Sequence, residues 1–442
     1  MQHSINAVLL GTFTLRFSTG LTGAMLLYYL AELPAFGGVE VSGTVAGTMT
    51  AAYFAAELIL SPAFGVLSDR VGAHRIMQVG PVLGAVAVIV TAATTDLWLL
   101  GGTRWLEGMA AAASIPSILG YIAITTSGNE GLRGRTVARF EAATIAGLGV
   151  GAVVAGPLFD LLGRGAFLAN ALVYVASFAI YRFGVRPVGT DAAASRSAED
   201  RPISSAEVRP SGLDLHRYAR LLATSGVWLL APTWIALNAI IGAWTTQSVF
   251  QLVRERDPRF VDQMLMGRYE PTQVSIGLAV ALVVFFAGIF VWGNLFRRYR
   301  RTSIMAVGVA GGLVMVGAIW GVNHSAAWPQ LVPIGLVVVA LAGLFVLAGA
   351  TPAALGMLAD ISETHPSDRG AIMGLYSVFL GLGQIVGSVV SGSAADWLGI
   401  DGLLLASVGL LVVALVPLRW LRDSEHLVGQ PHVVLVAEVT DG

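Results

Sequence analysis

Apolar runs of about twenty residues, set apart by short polar or charged turns, recur from one end of the chain to the other. A bilayer core takes about 20 apolar residues per helix, and on that ruler the pattern predicts spans at roughly 5–34, 42–66, 75–95, 97–126, 136–159 and 166–184. Six more are predicted at roughly 221–250, 272–296, 302–322, 330–358, 370–394 and 401–421. Between the sets, 185–218 is rich in Arg, Asp, Ser, Ala and Pro and lacks apolar periodicity, which is linker composition. The expectation is an all-α integral membrane protein of twelve transmembrane helices. It divides into two pseudo-symmetric six-helix bundles, 1–184 and 219–422, the linker 185–218 and a mobile tail, 423–442.

Composition narrows the class. With 55% hydrophobic and 12% charged residues over 442 positions, the chain is far from the roughly 25% charged content of a soluble domain. Its mean hydropathy is +0.75. A net charge of −1 gives no reason to expect a nucleic-acid partner. Every basic residue other than histidine is an arginine, which rules out lysine Schiff bases, and the absence of cysteine rules out disulfides, thiolates and cysteine metal sites. Neither a Gly-x-x-x-x-Gly-Lys-Ser/Thr loop nor a His-Glu-x-x-His motif is present, so an enzyme, a cofactor and a metal are not expected. The first apolar run lacks a signal-peptide layout and is expected to remain as a span.

Arginine placement predicts orientation. Arg70, Arg75, Arg133, Arg135, Arg139, Arg297, Arg298, Arg300, Arg301, Arg369, Arg419 and Arg422 fall on one side with the linker. The other side offers mainly Glu32, Glu40, Asp96, Asp160, Asp396 and Asp401, plus a charge-balanced loop at 251–271. Positive-inside bias then puts both termini in the cytoplasm and the chain in the cytoplasmic (inner) membrane.

The halves also repeat. Arg133, Gly134, Gly147, Gly151, Gly156, Asp160 and Gly163 match Arg369, Gly370, Gly383, Gly387, Gly392, Asp396 and Gly399, each pair offset by 236. A degraded copy of Gly65–Arg75 lies at Gly293–Arg301, without the aspartate.

Three motifs carry a family resemblance. The stretch Gly65–Arg75 reads Gly-x-x-x-Asp-Arg-x-Gly-x-x-Arg, a tight loop between helices 2 and 3. It resembles the diagnostic signature of the major facilitator superfamily, except that Ala73 stands where a basic residue is common. Leu100, Arg104, Glu107, Gly108 and Ala111 resemble a second signature. Gly147, Gly151, Gly156 and Pro157 resemble the glycine segment of the family's antiporters, with Asp160 where a glycine is often found. The resemblance covers all twelve helices. It implies a substrate path between the halves and a latch in which Asp69 faces the start of helix 11 near Arg369, with Gly65, Arg70, Gly72 and Arg75 shaping the turn.

Ionisable residues inside spans cost roughly 2.5–3.5 kcal/mol each on insertion scales and are functional candidates. The first half offers Arg16, Glu32, Glu57, Arg104 and Glu107. Arg104 and Glu107 lie three apart, about 60° round a helix, and can face one cavity. Depth arithmetic puts Arg16 and Glu57 within roughly 5 Å in height and suggests Glu32 as the partner of Arg104. One of Glu32, Glu57 or Glu107 is expected to carry a coupling proton, with static ion pairs as the other reading. The second half offers Asn238, Trp244, Gln247, Tyr376 and Gln384, either as ligand contacts or as packing.

An apolar cavity with few polar groups suits an amphipathic or hydrophobic solute. The expected function is proton-coupled efflux by alternating access, with a small molecule, protons and the bilayer as partners and the chain as a monomer. A proton-coupled importer and a non-transporting assembly or receptor protein are the alternatives.

Overall fold

A computed structural model describes residues 2–187, 225–363 and 369–428. Among them the chain forms helices and turns but no strand. The long helices are α1 (Gln2–Ala31), α2 (Gly43–Val71), α3 (Ala73–Ala93), α4 (Leu97–Thr125), α5 (Glu130–Leu162) and α6 (Gly165–Gly184). In the second half they are α7 (Val227–Val253), α8 (Pro271–Gly293), α9 (Arg301–Asn323), α10 (Leu331–Ile361), α11 (Arg369–Leu398) and α12 (Ile400–Val428). Eleven segments, one in each helix from α2 to α12, are long and apolar enough to cross a membrane. The more polar α1 has 30 residues, about 45 Å at 1.5 Å per residue, which also spans a bilayer core.

Local chemistry sets the helix ends. Ser42, Asp96 and Asn129 cap α2, α4 and α5 by accepting hydrogen bonds from Val45, Leu99 and Leu132 N–H groups at 3.2, 2.9 and 2.9 Å. Gly163 and Gly399, a pair in the 236-residue repeat, end α5 and α11 with positive φ of 52° and 63°, which glycine adopts without strain.

Three boundaries differ from expectation. The stretch Gly65–Val71 is helical, so the tight loop reduces to the single turn at Gly72, where φ is 102°. Charge made the segment look like a loop, but a helix end that emerges from the bilayer carries charged side chains readily. α5 starts at Glu130, six residues before the predicted span, and α12 runs to Val428, into the predicted tail. Positions 188–218 of the linker and 429–442 of the tail lie outside the described residues.

Each half builds its own core. In the first, α1 packs on α5, α2 on α4, and α3 on α4 and α6. In the second, α7 packs on α11 and α12, α9 on α10 and α12, and α8 on α10. The halves meet along two flanks, α2 with α11 and α5 with α8.

The repeat explains this arrangement. A Cβ on Gly151 would strike the Phe17 carbonyl of α1, and one on Gly387 would strike the Ala239 carbonyl of α7. Backbones come this close only where a side chain is missing. The next glycines cross over: Gly156 abuts Pro271 of α8, and Gly392 abuts Gly43 of α2.

Candidate transport path

The first half holds a charged interior. Arg104 and Glu107 are 6% and 2% exposed and form a closed ion pair along α4. The Arg104 guanidinium also sits 5.0 Å from the ring centre of Tyr53, a cation–π contact that sequence reasoning missed. Arg16 is buried in electrostatic reach of Tyr53 and Glu57, which brings together the expected Arg16–Glu57 couple with a tyrosine added. Glu57 itself is half-buried. Glu141 of α5, also overlooked in the sequence, is exposed and faces Arg16.

The expected Glu32–Arg104 pair is corrected. Glu32 lies past the end of α1, starting the short 3-10 turn Leu33–Phe36, and its charged neighbour is Asp160. Arg104 is satisfied by Glu107 on its own helix. Depth arithmetic on straight helices ignored how little a side chain must reach for a partner one turn away.

The second half is different in kind. A cavity of about 470 Å³ lies among α7, α8, α9, α10 and the start of α12, lined by apolar side chains such as Leu278, Ala281, Phe285, Met315 and Leu344. Of the five residues expected to contact substrate, Trp244 lines it, with its indole N–H donating to Ser407 at 3.0 Å. Asn238 and Gln384 are instead buried where α7 packs on α11: Asn238 donates to the Trp234 carbonyl at 2.9 Å, and Gln384 lies against Gly242. Gln247 donates to the Gly43 carbonyl at 2.9 Å and so bridges the halves. The Tyr376 and Arg369 side chains lie outside the described residues.

Outer and inner faces are assigned from the arginine placement alone. The cross-half hydrogen bonds among the described residues gather at the outer face. Asp396, at the end of α11, accepts from the Gly43 and Thr44 N–H groups at 2.6 and 2.8 Å and from the Thr44 hydroxyl at 2.6 Å. Its repeat partner Asp160, at the end of α5, accepts from the Thr272 N–H at 2.8 Å and from the Thr272 hydroxyl. Beside this second contact the Tyr28 and Ser275 hydroxyls lie 3.0 Å apart. Val249, Phe250 and Val274 of the second half join the first half's hydrophobic core here.

At the inner face the signature residues stand free of this seal. Asp69, Arg70 and Arg75 are exposed, and the nearest atom to a Cβ on Gly65 would be Pro116 of α4, at 3.8 Å. Positions 364–368, just before the start of α11 that Asp69 is expected to face, lie outside the described residues.

Two six-helix halves joined along two flanks, with a charged interior on one side and an apolar cavity on the other, define a multi-pass membrane transporter. The family model for the Major Facilitator Superfamily matches residues 8–255 and 218–433. The chain belongs to that superfamily, whose members are transporters. It is 22% identical over 362 residues to "Multidrug resistance protein 2" of Bacillus subtilis (strain 168), covering 81% of this chain and 82% of that one. To "Quinolone resistance protein NorA" of Staphylococcus aureus (strain MRSA252) it is 26% identical over 157 residues, 35% of this chain and 39% of that one. The crystal structure of the nucleoside transporter NupG has the same fold, with a TM-score of 0.69 at 14% identity over 95% of this chain and 98% of that one.

Proposed function

We propose that the protein exports a small amphipathic or hydrophobic solute across the cytoplasmic membrane by alternating access, in exchange for protons. The observation that carries this reading is the interior contrast: buried Arg16, Arg104 and Glu107 beside half-buried Glu57 in one half, and the apolar cavity of about 470 Å³ in the other. Such a path suits a solute with an apolar body and a small polar or charged group better than a sugar, which needs many hydrogen-bond partners. The names of the multidrug and quinolone resistance relatives support efflux. With the outer face sealed and the signature residues exposed, the conformation is inward-facing, with both termini cytoplasmic.

Glu57 is the coupling carboxylate best placed by position. It is half-buried and can exchange its partner Arg16 for water or for a proton as access changes, whereas Glu107 is held by Arg104. Proteoliposomes loaded with a pH-sensitive dye test this. Adding a lipophilic cation to the wild-type protein is expected to move protons opposite to the solute, and Glu57→Gln is expected to abolish the movement while solute binding persists. Protons that travel with the solute would instead make the protein a symporter. Unchanged exchange in Glu57→Gln, Glu107→Gln and Glu32→Gln alike would end the carboxylate-coupling idea.

A further inference from the structure

The duplicated aspartates Asp160 and Asp396 sit where proton coupling and substrate binding do not need them. The geometry points to a role for them as a matched pair of outer gate latches, each borrowed by a helix of the opposite half to complete its N-terminus, and each requiring release before the outer face can open.

The first turn of a helix leaves N–H groups without intrahelical partners, and in a dry contact each needs an acceptor. In α2, the Val45 N–H is taken by Ser42 of the same half. The Gly43 and Thr44 N–H groups are taken by Asp396 of the other half. In α8, Pro271 has no N–H, Glu270 and Gln273 form a local capping box, and the Thr272 N–H goes to Asp160. Both carboxylates also accept from a threonine hydroxyl at the second helical position, Thr44 or Thr272. A carboxylate at a helix N-terminus is further favoured by the helix dipole.

The pair is built, not incidental. Asp160 and Asp396 are offset by 236, as are Gly156 and Gly392, the glycines that let each flank close. The surroundings differ: the Arg259 guanidinium reaches the Asp396 carbonyl at 3.5 Å, while Asp160 has Glu32 and Tyr28 as electrostatic neighbours. Asp396 accepts three hydrogen bonds from across the flank and Asp160 two, so the α2–α11 latch is the stronger.

This inference rests on the alternating-access reading, but its test does not need transport. The native chain has no cysteine, so Ser388→Cys introduces a single thiol at a site that is 0% exposed beneath the α2–α11 contact. A membrane-impermeant maleimide added outside intact cells then reports opening of the outer face. Asp396→Ala is expected to speed labelling about tenfold, Asp160→Ala by less, and the double variant by more than either, given the strength of hydrogen bonds to charged groups. Asp396→Asn keeps an acceptor and is expected to fall between Asp396→Ala and the parent. Thermal unfolding of each purified variant separates opening from unfolding. Labelling rates unchanged in all variants, or raised only where unfolding has begun, would overturn the latch. A labelling change without proton exchange in proteoliposomes would sustain the gate and defeat the coupling instead.

Discussion

The two halves share one backbone plan and differ in what that plan encloses. Along α5 and α11 the same glycines, at the same spacing, press against α1 and α7, and the same aspartate ends the contact across a flank. Inside, the first half keeps Arg16, Glu57, Arg104 and Glu107 within its spans, while the second keeps an apolar cavity. The difference separates two tasks that a symmetric protein would have to mix. Repeated positions pack the halves together, and unrepeated ones give one half its charge and the other its apolar cavity.

Four substitutions press on that contrast, in order of expected effect. Arg104→Ala leaves Glu107 buried without its partner, and breaking a buried pair from one side costs about 3–5 kcal/mol. The unfolding midpoint of the purified protein should fall steeply, and the double variant Arg104→Leu with Glu107→Leu should recover most of it. No loss in the single variant would mean that the first half tolerates free charge, and the contrast would weaken. Next come Gly151→Ala and Gly387→Ala, which overpack equivalent contacts and should each destabilise by about 1–3 kcal/mol. Denaturation giving clearly unequal costs would show that the shared plan is not shared in energy. Smallest is Ala281→Phe, which fills part of the second half's cavity. It should weaken binding of a lipophilic cation by about tenfold, or about 1.4 kcal/mol, with little change in unfolding. Equal affinity by equilibrium binding would remove the cavity from the path.

Much of this was legible in the chain because the bilayer imposes a simple code. All twelve helices fall close to the apolar runs that predicted them, and the three-residue spacing turned Arg104 and Glu107 toward one cavity, although Arg104 was expected to pair with Glu32. The repeat was visible as an offset, yet what Asp160 and Asp396 do was not. A helix start borrowed from the other half has no mark in local sequence. Amides stayed ambiguous for a related reason: Asn238 and Gln384 could be read as ligand contacts or as packing, and both lie buried where α7 packs on α11. Glu141 was missed although it lies inside a predicted span, and Tyr53 became part of the charge set only once α2 and α4 were packed together.

The placement of the aspartate caps has a mechanical consequence. They lie on separate flanks, so the outer face is fastened at two points rather than along a line. With both fastened, the halves can neither twist nor tilt there. With one released, the other becomes a pivot, and the first gap opens sideways along a single flank before the face parts as a whole. An outer opening of this kind has a direction, set by whichever flank holds the weaker fastening, α5–α8.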